Sequence, residues 1–112
     1  NVSLDDFVEY SKSMFEYWTE DDFASSFRKM LTIEQFRSEE MQKLYQQYLV
    51  SGPAFYVKDL FDSMGFTNAK NKAGRFYSVM YFYYSIYDGA EDKEKVKVEF
   101  VSAIKSLLQE LK

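Results

Sequence analysis

Between Ala69 and Tyr87 the chain carries a pattern that only a long helix with neighbours on two sides can accommodate. At about 100° of rotation per residue, Ala69, Ala73, Phe76, Tyr77, Met80, Tyr83, Tyr84 and Tyr87 share one arc, and Val79, Phe82 and Ile86 form a second. A surface helix of a globular domain needs one apolar stripe. The second arc is too wide to extend the first, so this helix is either central in its own domain or presents a face to another molecule. Ser78 and Ser85 interrupt the run from Phe76 to Tyr87, which falls well short of the roughly 20 apolar residues that span a bilayer. No membrane partner is expected.

The rest of the chain reads as helices joined by short turns. Ser3, followed by Asp5 and Asp6, supplies a capping hydroxyl and carboxylates at the positive end of a helix dipole; Leu4, Phe7, Val8, Ser11, Met14, Phe15 and Trp18 then line one face of a helix over 3–18. Thr19 before Glu20-Asp21-Asp22 repeats the capping logic for a second helix to about Leu31, with Phe23, Phe27, Met30 and Leu31 at helical spacing. The segment from Thr32 to Arg37 fits either a further turn or a bend. Ser38 caps a helix ending near Val50, Gly52 suits its exit, and Pro53 suits the first turn of the next helix, which Gly65 stops. A last helix over about 91–111 spreads Val96, Phe100, Val101, Ala103, Ile104, Leu107, Leu108 and Leu111 over a broad arc. With one Pro and four Gly in 112 residues and no competing strand pattern, the fold class is all-α: a single domain, 1–112, of five or six helices.

Composition removes most chemistry. The chain has no His and no Cys, which excludes the usual zinc ligands, haem ligation by those residues, thiol nucleophiles and His-based triads. Ser26-Phe27-Arg28-Lys29 and Ser102-Ala103-Ile104-Lys105 both have S-x-x-K spacing but lack the companion motifs that make it catalytic. The paired carboxylates Asp21-Asp22 and Glu39-Glu40 fall in expected first helical turns, where they stabilise the dipole. No glycine-rich phosphate loop is present. The expectation is no enzyme and no cofactor or metal. A net charge of -4 opposes direct nucleic-acid binding, which needs clustered cations. Asn1-Val2-Ser3 matches a glycosylation sequon, but no secretory pattern accompanies it, and a cytoplasmic location is the default.

What remains is a surplus of aromatic residues, 20% of the chain, with ten Tyr and eleven Phe. Core packing accounts for most of the Phe. Tyr differs, because a buried hydroxyl without a partner costs about 1–3 kcal/mol, and Tyr77, Tyr81, Tyr83, Tyr84 and Tyr87 crowd one helix. Some must face a polar-lined cavity or an interface.

The run Phe27-Arg28-Lys29-Met30-Leu31-Thr32-Ile33-Glu34-Gln35-Phe36, then Lys43-Leu44-Tyr45 and the Gly52-Pro53 break, resembles the C-terminal regulatory domain of TetR-family transcriptional regulators. Phe76-Tyr77 opening a long helix, the Ile86-Tyr87-Asp88-Gly89 exit and the amphipathic final helix are similar to that domain's last two helices. The helix-turn-helix diagnostic of the family is absent from these residues. The resemblance implies an effector-binding and dimerisation module whose last two helices pair with their symmetry mates in a four-helix bundle, and DNA contact only through a separate N-terminal domain. A homodimer interface is then expected at Val79, Phe82, Ile86, Phe100, Ile104, Leu107, Leu108 and Leu111. Inward helical phase selects Trp18, Phe27, Tyr48, Phe61, Tyr77, Met80 and Tyr84 as candidate contacts to a small hydrophobic or aromatic effector. The rival expectation is a stand-alone helical adaptor that uses the same face for a partner protein.

Overall fold

The computed structural model describes residues 2–112; Asn1, which opens the sequon, lies outside the described residues. Six helices follow one another: α1 (Leu4–Glu20), α2 (Asp22–Glu34), α3 (Glu39–Leu49), α4 (Ser51–Ser63), α5 (Ala69–Gly89) and α6 (Lys93–Leu111). There is no strand among the described residues. The fold is an all-α bundle in which α5 packs against α1, α4 and α6, while α2 and α3 carry the chain from the end of α1 to the start of α4.

Helices α1, α2, α3 and α6 begin where a side chain satisfies one of their orphan N–H groups. The Asp6 N–H donates to Ser3 Oγ (3.0 Å) and the Met41 N–H to Ser38 Oγ (3.1 Å), as the sequence predicts. The second cap differs. Thr19 stays inside α1 and donates its hydroxyl to the Phe15 carbonyl (2.6 Å), while the Asp21 carboxylate accepts from the Ala24 N–H (2.9 Å). A carboxylate that serves both as cap and as countercharge to the dipole outcompetes a hydroxyl two residues upstream.

The α3–α4 junction is tighter than the sequence predicts. α4 starts at Ser51, so Pro53 occupies its third position rather than its first. Gly52 is required there by space: a Cβ at this residue would stand 1.8 Å from the Gln47 carbonyl oxygen. The α4 exit is a Schellman turn. Gly65 takes a positive φ of 84°, its N–H donates to the Asp62 carbonyl, the Phe66 N–H donates to that of Phe61, and the Phe61 and Phe66 rings stack at 4.7 Å.

Phe7, Phe15, Phe61, Phe76 and Phe100 are fully buried and form one aromatic core linking α1, α4, α5 and α6. A second, smaller cluster of Leu31, Tyr45 and Leu49 joins α2 to α3. The inward face of α2 is Ala24, Arg28 and Leu31. Phe23 and Met30, which share helical spacing with that face, lie outside it and are exposed.

The first arc of α5 is buried as its phase predicts, apart from half-buried Tyr83. The dimer expectation for α6 requires a correction. Phe100, Ile104, Leu108 and Leu111 are at most 2% exposed within the single chain, because the broad arc of α6 is consumed by α1 and α5. They have no surface to offer a second copy. Val79, Ile86 and Leu107 are half-buried, and Phe82 is 60% exposed.

Candidate ligand cavity

On the side of α5 away from α6 the helices do not close. α1 contributes Tyr10, Ser11, Met14 and Trp18, α3 contributes Gln47 and Tyr48, and together they face α4 and α5 across a cavity of about 270 Å³. Gly52, Pro53, Tyr56 and Val57 form the α4 wall; Phe76, Tyr77, Met80 and Tyr84 form the α5 wall. Residues spaced three or four apart on α5 stack along one face, which is how one helix delivers all four. The Gly52–Pro53 turn brings the start of α4 to the cavity edge.

Of the expected effector contacts, the fold brings Trp18, Tyr48, Tyr77, Met80 and Tyr84 together around this volume. Phe27 stands behind Tyr48, edge to face at 5.3 Å, and is outside the lining. Phe61 does not belong here: it is fully buried among Phe7, Phe66 and Phe76, since its phase on α4 points into the phenylalanine core. Ser11 and Met14 share the inward phase of α1 with Trp18, and that signal could have placed them in the lining. Tyr10, Gln47 and Tyr56 are at the rims of their helices' apolar faces and give no such signal.

No Lys, Arg, Asp or Glu lines the cavity. The polar groups of its lining side chains are the Gln47 amide, the Trp18 indole N–H and the Ser and Tyr hydroxyls. The Tyr77 hydroxyl donates to the Leu49 carbonyl, one of the orphan acceptors at the C-terminus of α3, and the Ser11 hydroxyl donates to the Phe7 carbonyl (2.8 Å). Burial, reinforced by neighbouring phenols, pushes the Tyr77 pKa far up. Burial does the same to Tyr84, and burial with the adjacent Tyr56 raises Tyr10 to about 12. Tyr10, Tyr77 and Tyr84 therefore keep their protons through the physiological range.

Behind the Tyr84 ring stands Arg28, the sole buried cation among the described residues. Its guanidinium lies 5.0 Å from that ring's centroid, donates through Nε to the Trp18 carbonyl (3.0 Å) and pairs with Asp88 at 2.7 Å. One side chain thus ties α2 to the C-termini of α1 and α5 and touches two cavity residues. Sequence reasoning missed it. The available signal was a cation four residues after Ala24 and three before Leu31, at the centre of an inward face.

No group of acidic, His or Cys side chains that could hold a metal ion occurs among the described residues, and none of their helices is long and apolar enough to cross a membrane. No protein-family model, curated protein or solved structure matches the chain.

Proposed function

We propose that this chain is the effector-binding and dimerisation domain of a TetR-like bacterial transcriptional regulator, acting in the cytoplasm and controlling a DNA-binding domain outside these residues. The observation that carries the reading is the uncharged aromatic cavity between α1, α3, α4 and α5, which suits a small hydrophobic or aromatic molecule. Coupling to DNA requires only that the effector bind one spacing of the two heads better than another. Arg28 supports a route for such coupling, because it connects two cavity residues to α2 and to the end of α5. Homodimerisation through the outer face of α5 uses Val79, Phe82, Ile86 and Leu107 on α6, the interface candidates that retain accessible surface.

Trp18 is the chain's one tryptophan and lines the cavity, so its emission reports occupancy directly. Saturable quenching of Trp18 by small neutral aromatics, with a rise in melting temperature, is expected; a flat response across such compounds overturns the effector reading. The adaptor alternative, expected from the sequence to use the outer face of α5, finds more exposed aromatic and aliphatic surface on α2 and the turn after it, at Phe23, Ile33 and Phe36 (73%, 77% and 85%). It predicts that serine substitution at these positions abolishes partner binding and leaves Trp18 quenching intact.

A further inference from the structure

The cavity has a buried floor and an open mouth. Ser11, Val57, Phe76, Tyr77, Met80 and Tyr84 are buried and form the floor, whereas Gln47, Tyr48 and Tyr56 are exposed and mark the mouth. From that mouth one line of ring contacts leads outward. The Tyr48 ring meets Phe27 edge to face at 5.3 Å, and Phe27 stacks on Phe23 at 5.8 Å. Phe27 is half-buried and Phe23 is 73% exposed. The other ring pair at the mouth, Tyr56 with Tyr10 at 5.8 Å, leads through Tyr10 to Phe7 and so back into the core. A contiguous exposed apolar patch marks an interaction site or a ligand groove, and contact with the cavity wall at Tyr48 selects the groove.

The volume, about 270 Å³, lies below the range of about 300 to 1,000 Å³ usual for small-molecule sites. At about 30 Å³ for each water-sized group, about nine non-hydrogen atoms fill it. A larger ligand protrudes at the mouth, and the rings that lead away from there, Phe27 and Phe23, carry no polar atom. The hydrogen-bonding side chains of the site, Gln47 and Trp18 among them, all belong to the cavity lining.

We infer that the ligand is an elongated neutral amphiphile, whose polar head and nearest carbons fill the cavity and whose unbranched alkyl chain leaves over Tyr48 and runs along Phe27 to Phe23. This rests on the effector-binding reading and specifies the shape of its ligand. A charged head finds no counter-ion, since no Lys, Arg, Asp or Glu lines the cavity. A ligand small enough to be enclosed leaves Phe23 in water; a longer one covers it.

The test is a titration of the whole chain, unsubstituted and with Phe23→Ser, with hexan-1-ol, octan-1-ol, decan-1-ol and dodecan-1-ol, read by Trp18 emission and by calorimetry. Octan-1-ol has about as many non-hydrogen atoms as the cavity holds. Affinity is expected to rise about fourfold per methylene up to octan-1-ol, where the chain is enclosed, and about twofold per methylene on to dodecan-1-ol, where the rings cover one side of it. Phe23→Ser is expected to leave hexan-1-ol and octan-1-ol unchanged and to abolish the gain beyond them. A plateau at octan-1-ol in the unsubstituted chain overturns the extended ligand, leaves effector binding standing and returns Phe23 to the surface for a partner protein. A gain beyond octan-1-ol that persists in Phe23→Ser overturns the path over α2. Binding of none of the four overturns both readings. If Phe23→Ser fails to fold by circular dichroism, the slope beyond octan-1-ol in the unsubstituted chain decides alone.

Discussion

The two sides of α5 use aromatic rings for opposite ends. Toward α6 and the start of α1 the inner rings are mostly Phe: Phe15 stacks on Phe100 at 4.3 Å, Phe7 meets Phe76 at 4.9 Å and Phe61 at 5.2 Å, and all five are fully buried. Toward α3 the rings are Tyr and Trp, and a cavity remains. Phe76, fully buried, is the wall between them. The difference comes down to one oxygen. A Phe ring interdigitates on every side, whereas a Tyr ring must aim its hydroxyl at an acceptor or at open space. Tyr77 finds the Leu49 carbonyl, and Tyr45 and Tyr81 find each other.

If that division holds, truncation on the two sides has unequal cost. Phe100→Ala removes a ring packed against Phe15 and Tyr83 in a region that cannot collapse, and is expected to lose about 3–5 kcal/mol in urea unfolding. Tyr48→Ala at the cavity mouth, where the side chain is 40% exposed, is expected to lose under about 1 kcal/mol. Equal losses break the distinction between a solid and an open side.

Gly52→Ala comes next. Its Cβ meets the Gln47 carbonyl at 1.8 Å, backbone against backbone, so the α3–α4 junction has to shift, at a cost of about 1–3 kcal/mol by analogy with overpacked sites. Because Gly52 borders the cavity, the shift also moves the Tyr48 and Tyr56 walls, and Trp18 emission is expected to change with stability. A stability loss with unchanged emission detaches the junction from the site.

Alkaline pH probes the hydroxyls themselves. Burial raises the pKa values of Tyr77 and Tyr84 in the folded chain, while the unfolded phenols ionise near pH 10. Above about pH 10 the unfolded state loses protons that the folded state keeps, so stability present at neutral pH falls as pH rises. The slope reaches about 1.4 kcal/mol per pH unit for each of these two groups. Tyr77→Phe is expected to remove one such contribution, which denaturant curves between neutral pH and pH 11 measure. An unchanged slope means that this hydroxyl faces solvent.

The helices and most of their ends were legible because they rest on local chemistry: a capping Ser, an acidic first turn, a Gly with positive φ. The phase of α5 read correctly because a helix fixes direction at every residue. What the sequence did not carry was the identity of each neighbour. The broad arc of α6 was expected to meet a twin subunit, yet Phe100, Ile104, Leu108 and Leu111 are absorbed by the chain's own α1 and α5; apolar width says that a face is covered and not by what. Phe61 failed for the same reason, since an inward phase does not distinguish a packed core from a cavity wall. Arg28 was invisible because its partners, Trp18 and Asp88, lie 10 and 60 residues away in sequence.

The smallest expected effect on the fold concerns the outer face of α5. Phe82 is 60% exposed and touches its neighbour Tyr83 at 5.7 Å, so Phe82→Ser is expected to change unfolding free energy by no more than about 0.5 kcal/mol. Its weight in self-association is a separate quantity. An exposed aromatic flanked by half-buried Val79 and Ile86 has the character of an interface anchor, where truncation costs about 2 kcal/mol or more, a factor of roughly 30 in Kd. Sedimentation of the two proteins at matched concentrations separates these quantities. A dimer that dissociates on Phe82→Ser with its fold intact assigns the second arc of α5 to a twin subunit. A monomer before and after substitution leaves Phe82 as solvated surface and confines the proposed function to the opposite side of the helix.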